Sequence, residues 1–462
     1  MLLKSKPLLF IAIIFLATSL AIAGYIGTRI YTSYLNWQAS LSSVWGSIRQ
    51  LEIQNQQLET QYRFTTYNLS EDFVEHQQIR GDADFGDVPA AKLTAMLNGR
   101  WSKIAGDGEM DSWPSRYYIK TKALEVYDDD LCTGLLGPKS GDADIWCFDG
   151  KSWRQIGGDG LNGSWANNAR YVTFLLADGQ YLFAGVDETV WRFDGAAWEK
   201  IGDVSANMSG CIAYSGAMLD GDLYVGTMSC GFSLFKYDGS EFQSVSFSIP
   251  DNERNFLHQK YKGGIYELHP FQGKLYIGSI AKFGTAGVFS YSKDGKLSKI
   301  GGDGVNGSWI NPGFSYLESF TTYRDTLVVS GNRMPIAPQQ FVSVWALQND
   351  GWHPVGSNNM PLQWGSMINF NAVTNFNDTL IVAGGGIPAG LASVWAFTGE
   401  KGFQKIAGHG INGSWGEETD GRMLPNSSAE YIYRLKIWRG KLVAGFGDSD
   451  GMAQIWQYEI AS

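Results

Sequence analysis

The sequence predicts an all-β fold, a seven-bladed β-propeller built from four-stranded antiparallel blades. One observation behind this prediction is a ten-residue phrase that recurs along the chain. It reads IGGDGLNGSW at residues 156–165, IGGDGVNGSW at 300–309 and IAGHGINGSW at 406–415, with a degraded copy, IAGDGEMDSW, at 104–113. Repeats at such intervals are typical of one supersecondary unit stacked on itself.

The second observation is a recurring four-strand unit. An apolar run ending in glycine, such as residues 275–278, is followed by an alternating strand, such as residues 344–347. An Asp-Gly turn usually comes next and leads to a fourth strand. β-branched and aromatic residues at period two favour pleated strands, and Asp-Gly suits a tight hairpin. Because the apolar run and the alternating strand each occur seven times, seven blades are predicted.

The third observation concerns closure of the ring. The last unit provides only three strands, whereas residues 101–108 provide an early strand that runs into the first copy of the phrase. If this early strand completes the last blade, no sheet edge stays open. We therefore predict a ring closed by an N-terminal strand.

These repeated strand and turn features resemble those of kelch-type propellers over roughly residues 100–462. The glycine-ended second strand, the aromatic third strand, the short turn and the Trp-led fourth strand carry the resemblance, with a double glycine at Gly384 and Gly385. The resemblance implies a binding platform, because kelch-like propellers are mostly binding platforms and only a minority are enzymes.

Residues 1–35 are predicted to form a transmembrane signal-anchor. Residues 7–26 are almost wholly apolar, and a helix rising ~1.5 Å per residue would span the ~30 Å hydrocarbon core. Lys4 and Lys6 precede this segment, which favours a cytoplasmic N-terminus and a propeller on the periplasmic or extracellular side. The alternative is a signal peptide cleaved after Ala23.

A helical stalk and an acidic linker are predicted between the anchor and the propeller. Residues 36–66 carry a heptad pattern with one polar position, Asn55. A coiled coil that pairs two copies of the chain through residues 36–62 and a single amphipathic helix both fit this pattern. Residues 67–98 read as an acidic linker, and residues 99–462 as the propeller.

The composition limits the classes of partner that the chain is expected to bind. The formal net charge is −10 and there is no basic tract, which argues against nucleic acid. The four cysteines allow three pairings, and we favour Cys132 with Cys147 and Cys211 with Cys230, each pair within one blade. Four free thiols are the alternative. Metal binding is disfavoured because no CxxC pair or nearby histidine supports it.

The motifs of cofactor sites have simpler structural explanations in this chain. The phrase contains GxGxxG three times, but a dinucleotide site needs that loop between a strand and a helix. Here it lies between strands, so we expect the glycines to let the chain cross between blades while the closing Trp wedges between them. The acidic stretches 82–87 and 448–451 lack the distal Glu of an EF-hand, so acidic turns are favoured over structural calcium. No cofactor or catalytic residue is therefore predicted.

One face of the propeller is predicted to be its binding surface. The loops joining second to third strands carry insertions and share this face with the phrase, and binding residues concentrate on loops over a rigid scaffold. The candidates are Lys139, Lys282, Arg333, Gln339, Asp448, Trp165, Trp309 and Trp415.

Three functions follow in order of preference. The first is a protein-binding or scaffolding subunit of a membrane or envelope assembly. The second is a glycan-binding, lectin-like propeller, which exposed phrase tryptophans would support and buried ones would oppose. The third is an enzyme, which a cluster of Asp, His or Arg in the central channel would favour.

Overall fold

The structure is a computed structural model that describes most of the predicted propeller. It covers residues 81–113, 118–137, 139–166, 168–205, 210–247, 263–281, 284–310, 313–333, 343–356, 369–385, 392–399, 402–408, 410–415, 431–447 and 453–461. The predicted membrane anchor and heptad stalk lie outside these ranges and stay predictions. Within these ranges, no helix has both the length and the apolar character that crossing a bilayer requires.

The described ranges contain 28 β-strands that pair into seven antiparallel groups of four, which we call blades 1–7 from the one that begins with β2. The first strands are β2 (Lys120–Tyr127), β6 (Val172–Ala177), β10 (Ile212–Leu219), β14 (Gly263–Phe271), β18 (Phe314–Tyr323), β22 (Asn369–Phe376) and β26 (Tyr431–Trp438). The second strands are β3 (Asp130–Leu136), β7 (Leu182–Val186), β11 (Asp222–Met228), β15 (Lys274–Ala281), β19 (Thr326–Arg333), β23 (Thr379–Gly385) and β27 (Lys441–Gly447).

The outer half of each blade follows the same order. The third strands are β4 (Ile145–Phe148), β8 (Thr189–Phe193), β12 (Leu234–Tyr237), β16 (Val288–Tyr291), β20 (Val344–Gln348), β24 (Ser393–Phe397) and β28 (Ile455–Glu459). The fourth strands are β5 (Trp153–Gly157), β9 (Trp198–Asp203), β13 (Phe242–Ser244), β17 (Leu297–Gly301), β21 (Gly351–Pro354), β25 (Phe403–Ala407) and, for blade 7, β1 (Arg100–Ala105).

The blades form a closed β-propeller. Each first strand contacts the first strand of the next blade, and β26 of blade 7 contacts β2 of blade 1. The strand β1 pairs antiparallel with β28, with Trp101 opposite Tyr458. The N-terminal strand therefore completes the last blade as the sequence predicts, and the first strands surround a central channel.

The C-terminal part of the predicted acidic linker packs on the propeller. The backbone N–H of Ala83 donates to the carbonyl of Pro354 at 2.8 Å, and the buried ring of Phe85 meets Tyr323 edge-on at 4.9 Å between centroids. The helix α1 (Ala90–Leu97) follows, and the Leu97 carbonyl accepts a 3.1 Å hydrogen bond from Asn412. Residues 81–97 therefore belong to the folded body rather than to a free linker.

Both predicted disulfides are confirmed. Cys132 and Cys147 are register partners on β3 and β4, with Cα atoms 4.0 Å apart. Cys211 and Cys230 flank β10 and β11, with Cα atoms 4.9 Å apart. Each bridge lies within one blade, and all four cysteines are accounted for.

The repeated phrase joins neighbouring blades through tryptophan. In every copy the phrase isoleucine offers its carbonyl to the indole N–H of a Trp at or near the start of the next blade's fourth strand. These bonds are Trp153 to Ile104 at 2.7 Å, Trp198 to Ile156 at 2.8 Å, Trp352 to Ile300 at 2.7 Å and Trp101 to Ile406 at 3.0 Å. The blades that no phrase precedes begin this strand with Phe242, Leu297 or Phe403. An indole is thus present wherever the phrase provides an acceptor for it.

Replacing Trp198 with Phe tests this link. The variant removes an indole donor that is only 5 % exposed, so we expect the free energy of unfolding to fall by about 1–3 kcal/mol in urea titrations. The control is Trp191→Phe on the same blade, because the Trp191 indole bonds only to the nearby Thr189 hydroxyl and is half-buried. Equal losses in the two variants would contradict an inter-blade role for Trp198.

Candidate binding site in the central channel

Every first strand carries a β-bulge at the same place. At this place the register with the second strand skips a residue in every blade, and a bulge of this kind re-aims a side chain. The skipped residues are Lys122, Thr173, Tyr214, Tyr266, Glu318, Asn371 and Tyr433. All seven are polar or tyrosine, and all are buried. We call this set the bulge ring.

Members of the bulge ring meet across the channel. The ammonium of Lys122 in blade 1 donates to the Tyr266 hydroxyl of blade 4 at 3.4 Å. The same ammonium lies 4.8 Å from the ring centroids of Tyr214 and Tyr266 and 5.4 Å from that of Tyr433. These are cation–π distances, so three aromatic faces surround one buried cation. The bulge ring therefore fills the channel at this level.

A second cation spans the channel beside the bulge ring. The Arg434 guanidinium of blade 7 donates to the Glu267 carboxylate of blade 4 at 3.0 Å and to the backbone carbonyl of Glu318 at 3.2 Å. Its neighbour Lys436 is ion-paired with Glu125 of blade 1 at 2.5 Å. Each of these charges therefore has a partner from another blade, and the pairs hold the facing strands in a fixed arrangement.

Burial perturbs the ionisation of this cluster. Burial lowers the pKa of Lys122, and the nearby Arg434 charge lowers it further, while Glu318 opposes the change. Burial raises the pKa of Glu318 and of Glu267, against the opposing effect of the neighbouring cations. Strongly perturbed groups of this kind, placed in a cleft, mark a candidate functional site.

A cavity of about 480 Å³ lies next to the bulge ring. Its walls come from the second half of each first strand, for example Glu267–Pro270 in blade 4 and Arg434–Ile437 in blade 7. It therefore lies towards the turns that join first to second strands. The predicted binding loops lie at the opposite end of the propeller, which we call the phrase end.

The structure describes only some of the predicted site residues. Lys139 lies in an exposed turn, where its backbone N–H donates to Asp142 at 2.6 Å, and Arg333 ends β19. Lys282, Gln339 and Asp448 lie outside the described residues, as does His409 of the phrase. Assignment of these residues to a binding face stays a prediction. Within the described residues, no group of three His, Cys, Asp or Glu side chains is placed to hold a metal ion.

The predicted phrase tryptophans are buried. Trp165, Trp309 and Trp415 are 5 %, 2 % and 7 % exposed, and their indoles donate to the carbonyls of Ala143, Ala286 and Ala392. They wedge between blades and support the loops from beneath. Their burial opposes the glycan-binding hypothesis, because a sugar needs an exposed ring.

The rest of the phrase forms a rigid turn. The Ser164 hydroxyl accepts from the Gly158 N–H at 2.9 Å, and Asn162 donates to the Ile156 carbonyl at 3.0 Å. Asp159 and Asn162 adopt positive φ values of 52° and 54°, which Asp and Asn tolerate best among non-glycine residues. The serine bond recurs in all four copies and the asparagine bond in the three full ones. The chain thus crosses between blades on this turn, as predicted.

Sequence analysis missed the bulge ring and the cavity. The third prediction named a channel cluster as the sign of an enzyme, but no residue was assigned to it. A signal was present, because each first strand places a polar residue or tyrosine directly after a buried residue, as in Leu317-Glu318 and Ile432-Tyr433. Only alignment of all seven first strands would have shown that these positions are equivalent.

Solved structures offer distant similarities. The chain is similar to the extracellular domain of BT4673 from B. thetaiotaomicron, at 11 % identity and a TM-score of 0.49, covering 77 % of this chain and 39 % of that one. It is also similar to YCF48 from Cyanidioschyzon merolae, at 10 % identity and a TM-score of 0.48, covering 78 % and 99 %. A third is the Pan2 WD40 domain of Neurospora crassa, at 11 % identity and a TM-score of 0.46, covering 78 % and 96 %.

The chain spans well under two thirds of the BT4673 structure. No protein-family model and no curated protein matches this sequence. The propeller fold therefore rests on the strand pairing described above, and the kelch-like type stays a prediction.

A buried carboxylate at the phrase end provides a pH test. Asp144 accepts hydrogen bonds from the Tyr118 hydroxyl and from Gln155 at 2.9 Å. Burial raises the pKa of Asp144 to about 6, against the opposing effect of the Tyr118 bond. At a pH below 3.8, the pKa of this side chain in the unfolded chain, the carboxyl is protonated in both states and does not destabilise the fold. The destabilisation grows as the pH rises through 6, because the carboxyl then becomes ionised while it is buried.

We expect the stability of Asp144→Asn relative to the wild type to rise by up to about 3 kcal/mol as the pH rises from 4 to 7. The measurement is urea unfolding across this range. Asp238→Asn is the contrasting control, because backbone and hydroxyl donors lower the pKa of this exposed turn residue to about 2, so its loss should destabilise at neutral pH. A pH-independent difference for Asp144→Asn would contradict the assignment.

Proposed function

We propose that this protein is a seven-bladed, kelch-like propeller that an N-terminal anchor holds at a membrane, with the propeller on the periplasmic or extracellular side. There it binds a protein partner as a subunit of a membrane or envelope assembly. Two disulfides support this location, because such bonds persist in oxidising compartments and are rare in the cytosol. The apolar segment at residues 7–26 supports the anchor.

The observation that carries partner binding is an exposed apolar side chain repeated on the rigid phrase turn. Leu161 and Ile411 occupy the same place in their copies and are 40 % and 37 % exposed, and Val305 at that place is half-buried. In the degraded copy the next residue, Met110, is 40 % exposed. A rigid turn loses little conformational entropy on binding, so apolar residues held this way make efficient contacts.

In this proposal the partner also contacts the loop candidates that the sequence predicts for the same end, which are Lys139, Lys282, Arg333, Gln339 and Asp448. The partner would then contact apolar turns together with the charged loops between them, which matches the mixed composition of protein interfaces. Pairing of two copies of the chain through residues 36–62 belongs to the same proposal and would place two phrase ends near one partner.

The test is capture of partners from native membranes by the full-length chain, with crosslinking before extraction. The triple variant Leu161→Asp, Val305→Asp and Ile411→Asp should reduce stoichiometric capture at least tenfold while its melting temperature stays close to that of the wild type. The matched control is Ile437→Asp, which introduces the same change at a residue that is 38 % exposed at the opposite end.

Loss of capture in the control but not in the triple variant would overturn the proposed binding end. A clean absence of protein partners for the wild-type chain would overturn protein binding itself.

A further inference from the structure

The cavity beside the bulge ring has the size of a small-molecule site. Its volume of about 480 Å³ falls within the roughly 300–1,000 Å³ typical of ligand pockets. The bulge ring closes the channel on one side, so a ligand enters from the end at which first strands turn into second strands. This site is separate from the phrase end and does not depend on the protein partner.

Two ion pairs line the cavity and remain partly accessible. In the pair of Arg434 with Glu267 the side chains are 17 % and 23 % exposed, and in the pair of Lys436 with Glu125 they are 32 % and 13 % exposed. Both pairs join strands of different blades. Their charges sum to zero, and each carboxylate lies beside a cation.

The rest of the wall mixes polar side chains such as Ser215 and Thr321 with apolar ones such as Leu268 and Phe320. In this partly enclosed wall, breaking an ion pair so that one charge loses its partner is unfavourable. A simple anion bound to Arg434 would compete with Glu267 and leave an excess negative charge. A simple cation bound to Glu267 would leave an excess positive charge.

A ligand that carries both charges avoids this conflict. Its carboxylate accepts from the Arg434 guanidinium, which can bind such a group with two parallel hydrogen bonds. Its ammonium donates to Glu267, which lies 3.0 Å from Arg434 in their ion pair. Each protein charge then exchanges one opposite partner for another, and the cavity stays neutral.

We propose that the channel cavity binds a zwitterionic small molecule, an α-amino acid in size and charge, between Arg434 and Glu267. The backbone carbonyl of Glu318 holds the guanidinium in place on its second side. Apolar wall residues receive the ligand side chain, and Lys436 with Glu125 forms the outer charged rim.

The experiment uses the purified full-length chain and the twenty standard L-amino acids, each also in its N-acetyl and amide forms. The free amino acid is a zwitterion, its N-acetyl form has no ammonium, and its amide form has no carboxylate. Thermal-shift measurements select binders and calorimetry gives their dissociation constants. We expect at least one free amino acid to bind and both of its blocked forms to bind at least tenfold more weakly.

Variants locate the site. Glu267→Gln, which keeps the shape of the side chain, and Arg434→Gln should each weaken binding at least tenfold. The matched control is Arg192→Gln with Glu199→Gln, an equivalent Arg–Glu pair joined at 2.5 Å on the outer strands of blade 2, and it should leave binding unchanged. If the Arg434→Gln variant does not fold, the dissociation constant measured for Glu267→Gln alone tests the site.

Three results would overturn the proposal: no amino acid binds the wild-type chain, a blocked form binds as tightly as the free one, or Glu267→Gln binds like the wild type. None of them affects capture by the phrase end, so the two proposals fail independently.

Discussion

Pairing of β1 with β28 is the constraint on which the rest of the propeller depends. It joins residues at least 350 positions apart, and the Tyr458 hydroxyl, which accepts from the Gly99 N–H at 3.0 Å, reinforces it. Blade 7 contributes Tyr433 to the bulge ring and Arg434 to the cavity. These side chains reach Lys122 of blade 1 and Glu267 of blade 4 only when the ring is closed. An open blade 7 would leave Glu267 without the Arg434 guanidinium as its ion-pair partner.

The two ends of the propeller are built on different principles. The phrase end is assembled from local turns, whose internal hydrogen bonds join residues close in sequence, as between Gly158 and Ser164. The other end gathers single residues from distant strands around the cavity. The first arrangement can tolerate change in one copy without affecting the others. In the second, any change at Arg434 or Glu267 alters a contact shared by several blades.

This difference between the two ends explains which features of the structure could be predicted from the sequence. Strand order, ring closure, both disulfides and the wedging of Trp165 follow from local periodicity and spacing, and the strand pairing and contacts agree with them. The cavity could not be predicted this way, because a bulge shifts the strand alternation by one residue and turns Glu318 inward against the expected pattern. The pairing of Arg434 with Glu267 also depends on which blades face each other across the ring, which no local pattern encodes.

Closure by β1 also has a consequence for the order of folding. Among the described strands, β1 is synthesised first, and its pairing partner β28 is synthesised last. Blades 1–6 can form their internal hairpins as they emerge, whereas β1 must wait, with its edge unpaired, until almost the whole chain is available. Such a distant contact is slow to form and exposes an edge to aggregation meanwhile. Closure of the ring therefore comes after synthesis of every other described strand, and until then the unpaired edge of β1 is open to wrong pairing.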